Sequence, residues 1–339
     1  MTTPLISVIV VNFNGRKWLP GCLSSLKHQT YSNYEIIFVD NNSSDNSVEY
    51  ISHNFPDIKL VTNSQNLGFA SGNNIGAKHS KGEYLVLLNN DTQVPKNYLS
   101  KFYEAFTAIP NLAIAQSKII LMEDHKLLDS CGSFWTISTN QYYIGNKKFS
   151  LLPIYQTPQP VFSVKGASVM IKKDVVDKIG LLDDDFWCYY EETDFCHRAW
   201  IAGYECWYWP KTYVYHAMGG TSLTFPNSHI QFHNLKNKLL SLLKNFEVLT
   251  IFYELPIFLF LNLILAMIWL CQGKFNHFTA FLKAVFWNLI HIKSTFKKRL
   301  LIQQTRAKSD SNIFSIVKKD PRLSYYYYLF INRLDLYAD

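Results

Sequence analysis

Short apolar runs that end in polar residues recur along the first 90 residues of the chain. The runs Ile6–Phe13, Tyr34–Asp40 and Tyr84–Leu88 are rich in Val, Ile and Leu, and each is followed at once by Asn. A near-continuous β-branched run is typical of a strand that is buried on both faces of a sheet. The pattern therefore predicts several buried strands with polar side chains at their carboxyl ends.

Segments with helical spacing alternate with these strands. The spacing predicts helices over Trp18–His28, Ser44–Phe55 and Phe69–Ser80, and the run Ile58–Thr62 predicts one more strand. Ser and Asp at the start of the second helix are a normal N-terminal signal. Sequential β-α-β units pair their strands in parallel through right-handed crossovers. We therefore predict an α/β protein with a mostly parallel central sheet flanked by helices.

The pattern is less regular between Leu112 and about Tyr215. Glycines at 180 and 203 are expected to end two helices, because glycine is the usual residue just beyond a helix. The predicted elements of this region are the strand Ser168–Ile171, the helices Lys173–Ile179 and Glu191–Ala202, and the strand-like runs Tyr204–Trp209 and Tyr213–Tyr215.

Polar residues at the strand ends define a candidate ligand site, because open α/β sheets bind ligands beyond the carboxyl ends of their strands. Asp40 ends one strand, where a carboxylate can accept the imino N–H of a pyrimidine base or cap a loop. Asp91 follows another strand among amide and hydroxyl neighbours. Oxygen ligands of this kind suit Mg²⁺ or Mn²⁺, although Asn and Asp also favour ordinary turns.

A dense acidic cluster begins the helix predicted at Glu191. Glu191, Glu192 and Asp194 lie within four residues, just after several aromatic residues. The helix dipole alone would favour acidic residues at this position. Desolvation and mutual repulsion also raise the pKa of a carboxyl group toward values useful to a general base, so we predict a catalytic role. His216 is a candidate metal ligand if it faces the same pocket.

Taken in order, these motifs resemble the family 2 glycosyltransferases of the GT-A fold, especially the rhamnosyltransferase-like branch that builds bacterial surface polysaccharides. The resemblance covers roughly residues 5–245 and implies inverting transfer of a sugar from a nucleotide-diphosphate donor. It rests on the segments Val8–Gly15, Val39–Ser47, Asn66–Gly76, Leu88–Thr92, Gly166–Ile171 and Tyr190–Asp194, together with His216.

The resemblance also implies roles for individual residues. Asp40 would contact the base of the donor, while Asp91 and His216 would hold the Mg²⁺ or Mn²⁺ that bridges the diphosphate. Glu192 matches the catalytic position, and Glu191 matches the residue before it. The other implied donor-binding residues are Asn12, Asn14, Asn42, Asn66, Gly68, Asn73, Asn90 and Gly166.

Two departures from the family pattern affect these roles. The metal motif, often Asp-x-Asp, is Asn89-Asn90-Asp91 here, which predicts weaker metal binding. The usual catalytic Asp is replaced by Glu192, which is one methylene longer, so the choice between Glu191 and Glu192 stays open.

Other functions fit the sequence less well. Gly72–Gly76 lacks the Lys-Ser/Thr of a P-loop, so the metal, loops or scattered basic residues such as Lys165 must hold the diphosphate. A sugar-nucleotide pyrophosphorylase would need a Gly-rich basic loop after the first strand, which Asn12–Lys17 matches poorly. A catalytically silent nucleotide- or glycan-binding protein on the same fold is the alternative from another class.

The net charge and the cysteine content limit the classes of partner and the cellular compartment that the sequence predicts. The net charge of +7 is too mild, and too evenly spread over the first 200 residues, to predict a nucleic acid partner. The six cysteines form no C-x-x-C pair and no secretory signal opens the chain, so we expect free thiols in a reducing compartment.

The last third of the chain predicts contact with a membrane. Gln231–Phe246 has the pattern of a basic amphipathic helix suited to a membrane surface. Leu249–Cys271 is long enough to span a bilayer, although Glu254 and Pro256 weaken that interpretation. A single span would place the basic residues between 273 and 309 against the positive-inside tendency, unless Phe275–Ile292 returns as a second, poor span.

We therefore predict shallow or re-entrant insertion at the cytoplasmic face of the inner membrane and a lipid-linked glycan acceptor. A hydrophobic helical cap on a soluble enzyme is the alternative. The expected organisation is a catalytic domain over residues 1–225, a helical membrane-associating extension over 226–310 and a tail over 311–339.

Overall fold

The computed structural model of the chain describes residues 3–218, 225–330 and 333–339, so the segment that directly follows Met218 lies outside the described residues. Ten strands form the central sheet, and β8 and β9 form a separate hairpin. The strands are β1 (Ile6–Asn12), β2 (Tyr34–Asp40), β3 (Lys59–Thr62), β4 (Tyr84–Asn89), β5 (Thr92–Gln93), β6 (Leu112–Leu121), β7 (Leu128–Ser130), β8 (Ser133–Trp135), β9 (Gln141–Tyr143), β10 (Gln159–Pro160), β11 (Ser168–Lys172) and β12 (Glu205–His216).

Helices cover both faces of the sheet and continue into the last third of the chain. Short 3₁₀ turns lie at Pro153–Tyr155, Asp184–Phe186 and Leu334–Leu336. The α-helices are α1 (Leu19–Lys27), α2 (Ser47–Asn54), α3 (Gly68–Lys78), α4 (Tyr98–Ala108), α5 (Lys173–Ile179), α6 (Glu191–Ile201), α7 (Asn227–Asn245), α8 (Val248–Cys271), α9 (Phe275–Ile290), α10 (Ile292–Gln304), α11 (Asp310–Val317) and α12 (Leu323–Phe330).

The sheet order is β10-β12-β6-β11-β4-β1-β2-β3, with β5 beside β12 and β7 beside β6. Strands β1 to β4 are parallel, as predicted, and β12 is parallel to β6. Only β11 runs antiparallel between β4 and β6 among these principal strands. The carboxyl ends of β1, β2, β4 and β12 therefore meet at one edge of the sheet, together with the amino end of β11.

Alternating side chains of β1 divide the core into two layers, as the period of a strand requires. Val8 and Val10 pack on one face of the sheet with residues of α1 and α4, such as Leu23 and Phe102. Ile9 packs on the other face in the second layer. There, a Cβ at Gly76 of α3 would lie only 2.4 Å from the side chain of Ile9, so glycine allows α3 to approach the sheet closely.

Two predicted elements differ in their limits. Helix α2 begins at Ser47 rather than Ser44, because Asp45 accepts hydrogen bonds from the backbone N–H and hydroxyl of Ser47 and Asn46 adopts a left-handed conformation. The two strand-like runs after residue 203 form the single strand β12, which has an irregularity between Trp209 and Tyr213.

The helical extension shares a core with the sheet. Leu239 of α7, Phe246 just after α7, Phe258 of α8 and Ile313 of α11 belong to the same buried cluster as Ile9 of β1. The chain beyond residue 225 is therefore packed against the α/β part over a continuous apolar interior.

Gln231–Phe246 was predicted to be a basic amphipathic helix suited to a membrane surface, but the lysines of α7 do not form such a surface. The ammonium of Lys236 donates to the carbonyl of Asp185, that of Lys238 donates to Asn140, and that of Lys244 pairs with Asp183 and Asp194. Lys236 and Lys244 are almost fully buried. An amphipathic pattern shows only that one face is apolar, and here the basic positions find acidic and carbonyl partners inside the protein.

Lys244 is expected to be a major contributor to stability. Its substitution by Met would leave Asp183 and Asp194 buried with one cation fewer, although Lys298 and Arg198 also pair with them. Removal of one partner from a buried ion pair costs about 3 kcal/mol. We expect Lys244→Met to lower the free energy of unfolding by about that amount in denaturant titrations. The same substitution at Lys297, an exposed lysine of α10, is the control and should change the free energy of unfolding little. Equal stability of the two variants would contradict this assignment.

Candidate functional site

A cavity of about 550 Å³ lies at the edge of the sheet where the carboxyl ends of the parallel strands meet. Asn41 after β2, Asn90 and Asp91 after β4, and His216 at the end of β12 contribute to its walls. Asn66 and Gly68, at the start of α3, complete the side nearest β2. The cavity thus collects four of the residues that the sequence associated with a donor or a metal, and His216 from a distant strand.

A second cavity of about 510 Å³ adjoins the first and shares Phe69, Asn89 and Lys165 with it. Glu191, Glu192 and Gly166 line this second cavity. Asp91 and Glu192 therefore lie on neighbouring parts of one crevice, which we call the catalytic crevice. The central geometric expectation from the sequence, that these acidic residues face a common space, agrees with the structure.

His216 bridges two carboxylates at the floor of the crevice. Its Nε2 lies 3.3 Å from Oδ1 of Asp91, and its Nδ1 lies 2.8 Å from Oδ2 of Asp129. The ammonium of Lys165 lies 2.6 Å from Oδ1 of Asp129. Asp129, His216 and Asp91 therefore form a buried chain of alternating donors and acceptors.

The electrostatics of this hydrogen-bonded series favour a positive charge at His216. Burial alone would raise the pKa of Asp129, but Lys165 and His216 offset it and hold the pKa at about 2. Burial alone would lower the pKa of His216, yet its hydrogen bonds to Asp129 and Asp91 raise it. Two carboxylates around one imidazole form a site that stabilises a proton or another cation.

The donor set at Asp91 and His216 fits a divalent cation. Asp129 accepts the Nδ1–H of His216, so loss of the proton on Nε2 would free a lone pair on the side of Asp91, as in carboxylate–histidine–metal sites. Mg²⁺ and Mn²⁺ commonly take few protein ligands and complete their shells with phosphate oxygens and water. Within the described ranges no three His, Cys, Asp or Glu residues converge on one metal position. The two protein ligands would therefore need the diphosphate of a substrate.

Glu191 and Glu192 begin α6 and have different environments. Glu191 is buried, and burial together with the negative charge of Glu192 raises its pKa well above the usual value. Burial also raises the pKa of Glu192, but the backbone N–H of Gly166 and the charge of Lys165 oppose the shift. Oε1 of Glu192 accepts the Gly166 N–H at 3.2 Å. The N–H of Gly166 and the charge of Lys165 therefore favour the negative charge on Glu192 over Glu191.

A strained loop presents these glutamates to the crevice. Trp187, Tyr189 and Tyr190 have φ angles between 61° and 72°, a backbone region that residues other than glycine rarely adopt. The amide of Asn237 on α7 donates to the carbonyls of Phe186, Cys188 and Tyr189 at 2.6–3.0 Å. Because Asn237 is fully buried, α7 holds this loop in its strained conformation.

The start of α3 also depends on this loop. Gly68 has a φ of 81°, and a Cβ there would lie 2.3 Å from the carbonyl oxygen of Trp187. Only glycine permits this close approach. The start of α3, which forms the wall of the crevice at Asn66, therefore packs directly against the loop that carries the glutamates.

Several predicted donor-binding residues form a layer just beneath the crevice. The amide of Asn90 donates to Oδ1 of Asn12 at 2.6 Å, and the amide of Asn12 donates to Asp40 and Ser43 at 3.0 Å. Asp40 also accepts the backbone N–H of Ser43 at 2.8 Å. This network gives Asp40 a role in shaping the loop after β2.

The remaining predicted residues lie farther from the crevice floor. Asn14 accepts the backbone N–H of Ser44 at 2.8 Å and, like Asn42, is exposed on a loop at the same edge of the sheet. Asn73 is buried within α3, where its amide donates to the carbonyl of Phe69 at 2.9 Å. Its contacts are those of a packing residue.

Asn41, Asp129 and Asn237 were missed as individual site residues. Asn41 is the residue directly after β2, so its position at a strand end was a usable signal. Asp129 lies in the short strand β7 and Asn237 in the middle of α7, and neither position has a recognisable local motif.

A sequence profile described as glycosyl transferase family 2 matches residues 7–180, which include β1 to α5. The low-salt glycan biosynthesis hexosyltransferase Agl10 of Haloferax volcanii is 27% identical over 202 residues, which cover 57% of this chain and 61% of the relative. WfgD of Escherichia coli, a UDP-Glc:alpha-D-GlcNAc-diphosphoundecaprenol beta-1,3-glucosyltransferase, is 30% identical over 146 residues, which cover 38% of this chain and 56% of the relative. The chain thus matches less than two thirds of the length of these relatives.

Solved structures with the same fold have much lower identity. GalNAc-T7 with UDP, GalNAc and Mn²⁺ has a TM-score of 0.55 at 19% identity, over 70% of this chain and 47% of that chain. The mannosyltransferase PcManGT of Pyrobaculum calidifontis, in complex with GDP-Man and Mn²⁺, has a TM-score of 0.53 at 16% identity, over 86% and 76% of the two chains. The predicted GT-A fold is thereby confirmed.

Proposed function

Because the chain belongs to glycosyl transferase family 2, we propose that it is an inverting glycosyltransferase that uses a nucleotide-diphosphate sugar. The observation that carries the proposal is the catalytic crevice, in which Asp91 and His216 occupy one part and Glu192 the adjoining part. A donor bound with its diphosphate at Asp91 would present its sugar to the space beside Glu192. An acceptor hydroxyl would meet the sugar in that same space.

In this proposal Glu192 acts as the general base. It accepts the proton of the acceptor hydroxyl while that oxygen bonds to the anomeric carbon, and the bond from this carbon to the diphosphate oxygen breaks. One displacement inverts the anomeric centre and needs a single base. Glu191 is favoured to hold a proton beside it, so Glu192 retains the charge that a base requires.

Asp91 and His216 would hold Mg²⁺ or Mn²⁺, with Asp129 orienting the imidazole of His216. The ion would neutralise the charge that develops on the leaving diphosphate. Both solved relatives described above contain Mn²⁺ beside a nucleotide or a nucleotide sugar, which supports this choice of cofactor.

The nucleotide would lie between Asn41 and Asn66 at the β2 side of the crevice. The amide of Asn41 already donates to the carbonyl of Gly68, and Asn63 donates to Asn41 at 2.8 Å, so its orientation is fixed. Asp40 supports the loop from below through Asn12 and Ser43. Rhamnose is the donor sugar that the resemblance to the rhamnosyltransferase-like branch favours.

We propose a lipid-linked glycan as acceptor and shallow insertion at the cytoplasmic face of a membrane. Helix α8 has a mean hydropathy of 2.2 over its most apolar window, most of which is not buried in the protein. Its first part is held by the protein, because Glu254 accepts the indole N–H of Trp135 and Phe258 is buried. The remaining helix, Leu259–Cys271, is roughly 20 Å long at 1.5 Å per residue, which is short for a hydrocarbon core of about 30 Å.

The acceptor class is supported by WfgD, which is a glucosyltransferase for alpha-D-GlcNAc-diphosphoundecaprenol. A surface-bound enzyme would meet such an acceptor at the interface where its glycan protrudes. A membrane-inserted α8 would therefore bring the crevice and the acceptor together.

A panel of nucleotide sugars tests the proposed function. The purified full chain, with Mn²⁺, should release a nucleoside diphosphate from one member of the panel, slowly into water and faster with an acceptor extract. Tight binding of a nucleotide sugar without any release of the diphosphate would instead establish the alternative, a catalytically silent binding protein.

A further inference from the structure

An open apolar groove runs between α8 and α9. It has a volume of about 640 Å³ and is lined by side chains of both helices, including Phe260, Leu263, Phe286 and Leu289, all of which are exposed. A second groove of about 570 Å³ continues it along α8 toward Cys271 and shares Phe260 and Leu263 with it. Together they form an elongated apolar trough, which we call the α8–α9 groove.

A polar pocket lies at one end of this groove. Its volume is about 350 Å³, and it is lined by Ser228 and His229 of α7 and by Asn276, Thr279 and Lys283 of α9. Lys283 also lines the α8–α9 groove, so the two spaces meet at its side chain. The chain has no acidic residue between positions 273 and 309, so no sequence neighbour of Lys283 on α9 or α10 neutralises its charge.

Aromatic contacts join this polar pocket to the catalytic crevice. The ring of His229 stacks on Phe225 with centroids 5.3 Å apart and lies 5.3 Å from the ring of Trp187. Phe225 and Trp187 both line the part of the crevice that contains Asp91. A continuous wall therefore leads from the crevice, past His229, to Lys283 and on into the α8–α9 groove.

We propose that this path binds the polyprenyl diphosphate of the acceptor. This proposal rests on the proposed glycosyl transfer to a lipid-linked glycan. The diphosphate lies in the polar pocket beside Lys283, the polyprenyl chain follows the α8–α9 groove, and the glycan extends toward Glu192. The arrangement matches a ligand that is anionic at one point and apolar beyond it. Burial of each methylene of such a chain against the apolar groove favours binding.

Photocrosslinking tests the path directly, with geranylgeranyl diphosphate that carries a diazirine near the end of its chain as the probe. We expect adducts on the segment Leu259–Leu289 of the full-length protein in detergent. Lys283→Glu should reduce the yield about tenfold, because it places like charge beside the diphosphate. Lys297→Glu, an equal change of charge at an exposed lysine of α10, should leave the yield within twofold.

Three further arms separate the alternatives. Inorganic pyrophosphate and unlabelled geranylgeranyl diphosphate are compared as competitors at the same molar excess over the probe. Pyrophosphate should displace little of the probe. Displacement as complete as with geranylgeranyl diphosphate would overturn the role of the groove. Adducts confined to the catalytic crevice would overturn the path. Co-sedimentation with phosphatidylglycerol vesicles should be unchanged by Lys283→Glu, and a parallel tenfold loss would show that the surface binds bilayer headgroups instead.

The crosslinking needs neither donor nor turnover, so its outcome is independent of the nucleotide-sugar panel. Adducts at Leu259–Leu289 in a protein that never releases a diphosphate would support the lipid path and refute the transferase function. Release of a nucleoside diphosphate without such adducts would support the transferase function and refute the lipid path.

Discussion

Replacement of Glu192 by Gln should reduce glycosyl transfer by about 10³-fold and leave nucleotide-sugar affinity within twofold. The amide retains the size of the side chain and can still accept the Gly166 N–H through its oxygen. It cannot accept the proton of an acceptor hydroxyl. Single-turnover transfer and equilibrium binding of the donor, measured on the same preparation, would separate the chemical step from binding.

Glu191→Gln is the matched control for this prediction. Because a proton is favoured on Glu191 already, the amide resembles its native state, and we expect less than a tenfold loss. A larger loss in Glu191→Gln than in Glu192→Gln would reverse the assignment of the base.

The same assignment fixes the sign of the pH dependence. Burial raises the pKa of Glu192, so the carboxylate forms only at a pH above the usual range for Glu. The kcat/KM for transfer should therefore rise with pH, with an apparent pKa above 4.5. In Glu192→Gln, the residual rate should lose this acidic limb.

Asp91→Asn should lower the affinity for Mn²⁺ in the presence of the donor nucleotide by at least 100-fold and reduce transfer to a similar extent. The substitution retains the shape of the side chain but removes the carboxylate that lies 3.3 Å from Nε2 of His216. Electron paramagnetic resonance of free Mn²⁺ measures the affinity without requiring turnover.

Asp129→Asn provides a graded comparison. Asp129 acts through His216, so its loss should weaken Mn²⁺ binding by roughly 10- to 100-fold, as for other groups that orient a ligand. Asp57→Asn, at an exposed carboxylate paired with Lys27, should change nothing. Normal Mn²⁺ affinity in Asp91→Asn would refute the metal site.

The parallel half of the sheet could be predicted because its signals are local. Each of β1, β2 and β4 is a run of β-branched and apolar residues, and the polar residue that follows each run marks the edge where ligands bind. Asp91 follows directly from that rule. His216 could be named only as a conditional candidate until the family resemblance included it, since its strand reaches the crevice by long-range pairing with β6.

Partners supplied from distant parts of the chain could not be predicted. Asp129 reaches His216 because the short strand β7 pairs with β6, a contact that no local pattern encodes. The lysines of α7 have an amphipathic spacing that suits lipid and protein equally well. Only the positions of Asp183 and Asp194 in the fold decide that Lys244 turns inward.

The hydrogen bonds from Asn237 to the backbone at Phe186, Cys188 and Tyr189 have a practical consequence for crystallisation of this protein. Truncation before α7, which would discard all the C-terminal helices to gain solubility, would remove the amide that holds the loop with its three left-handed residues. Such a truncated protein would retain the sheet and its nucleotide side yet release the glutamates from their working position. Detergent or nanodisc preparations of the intact polypeptide are therefore the right starting material.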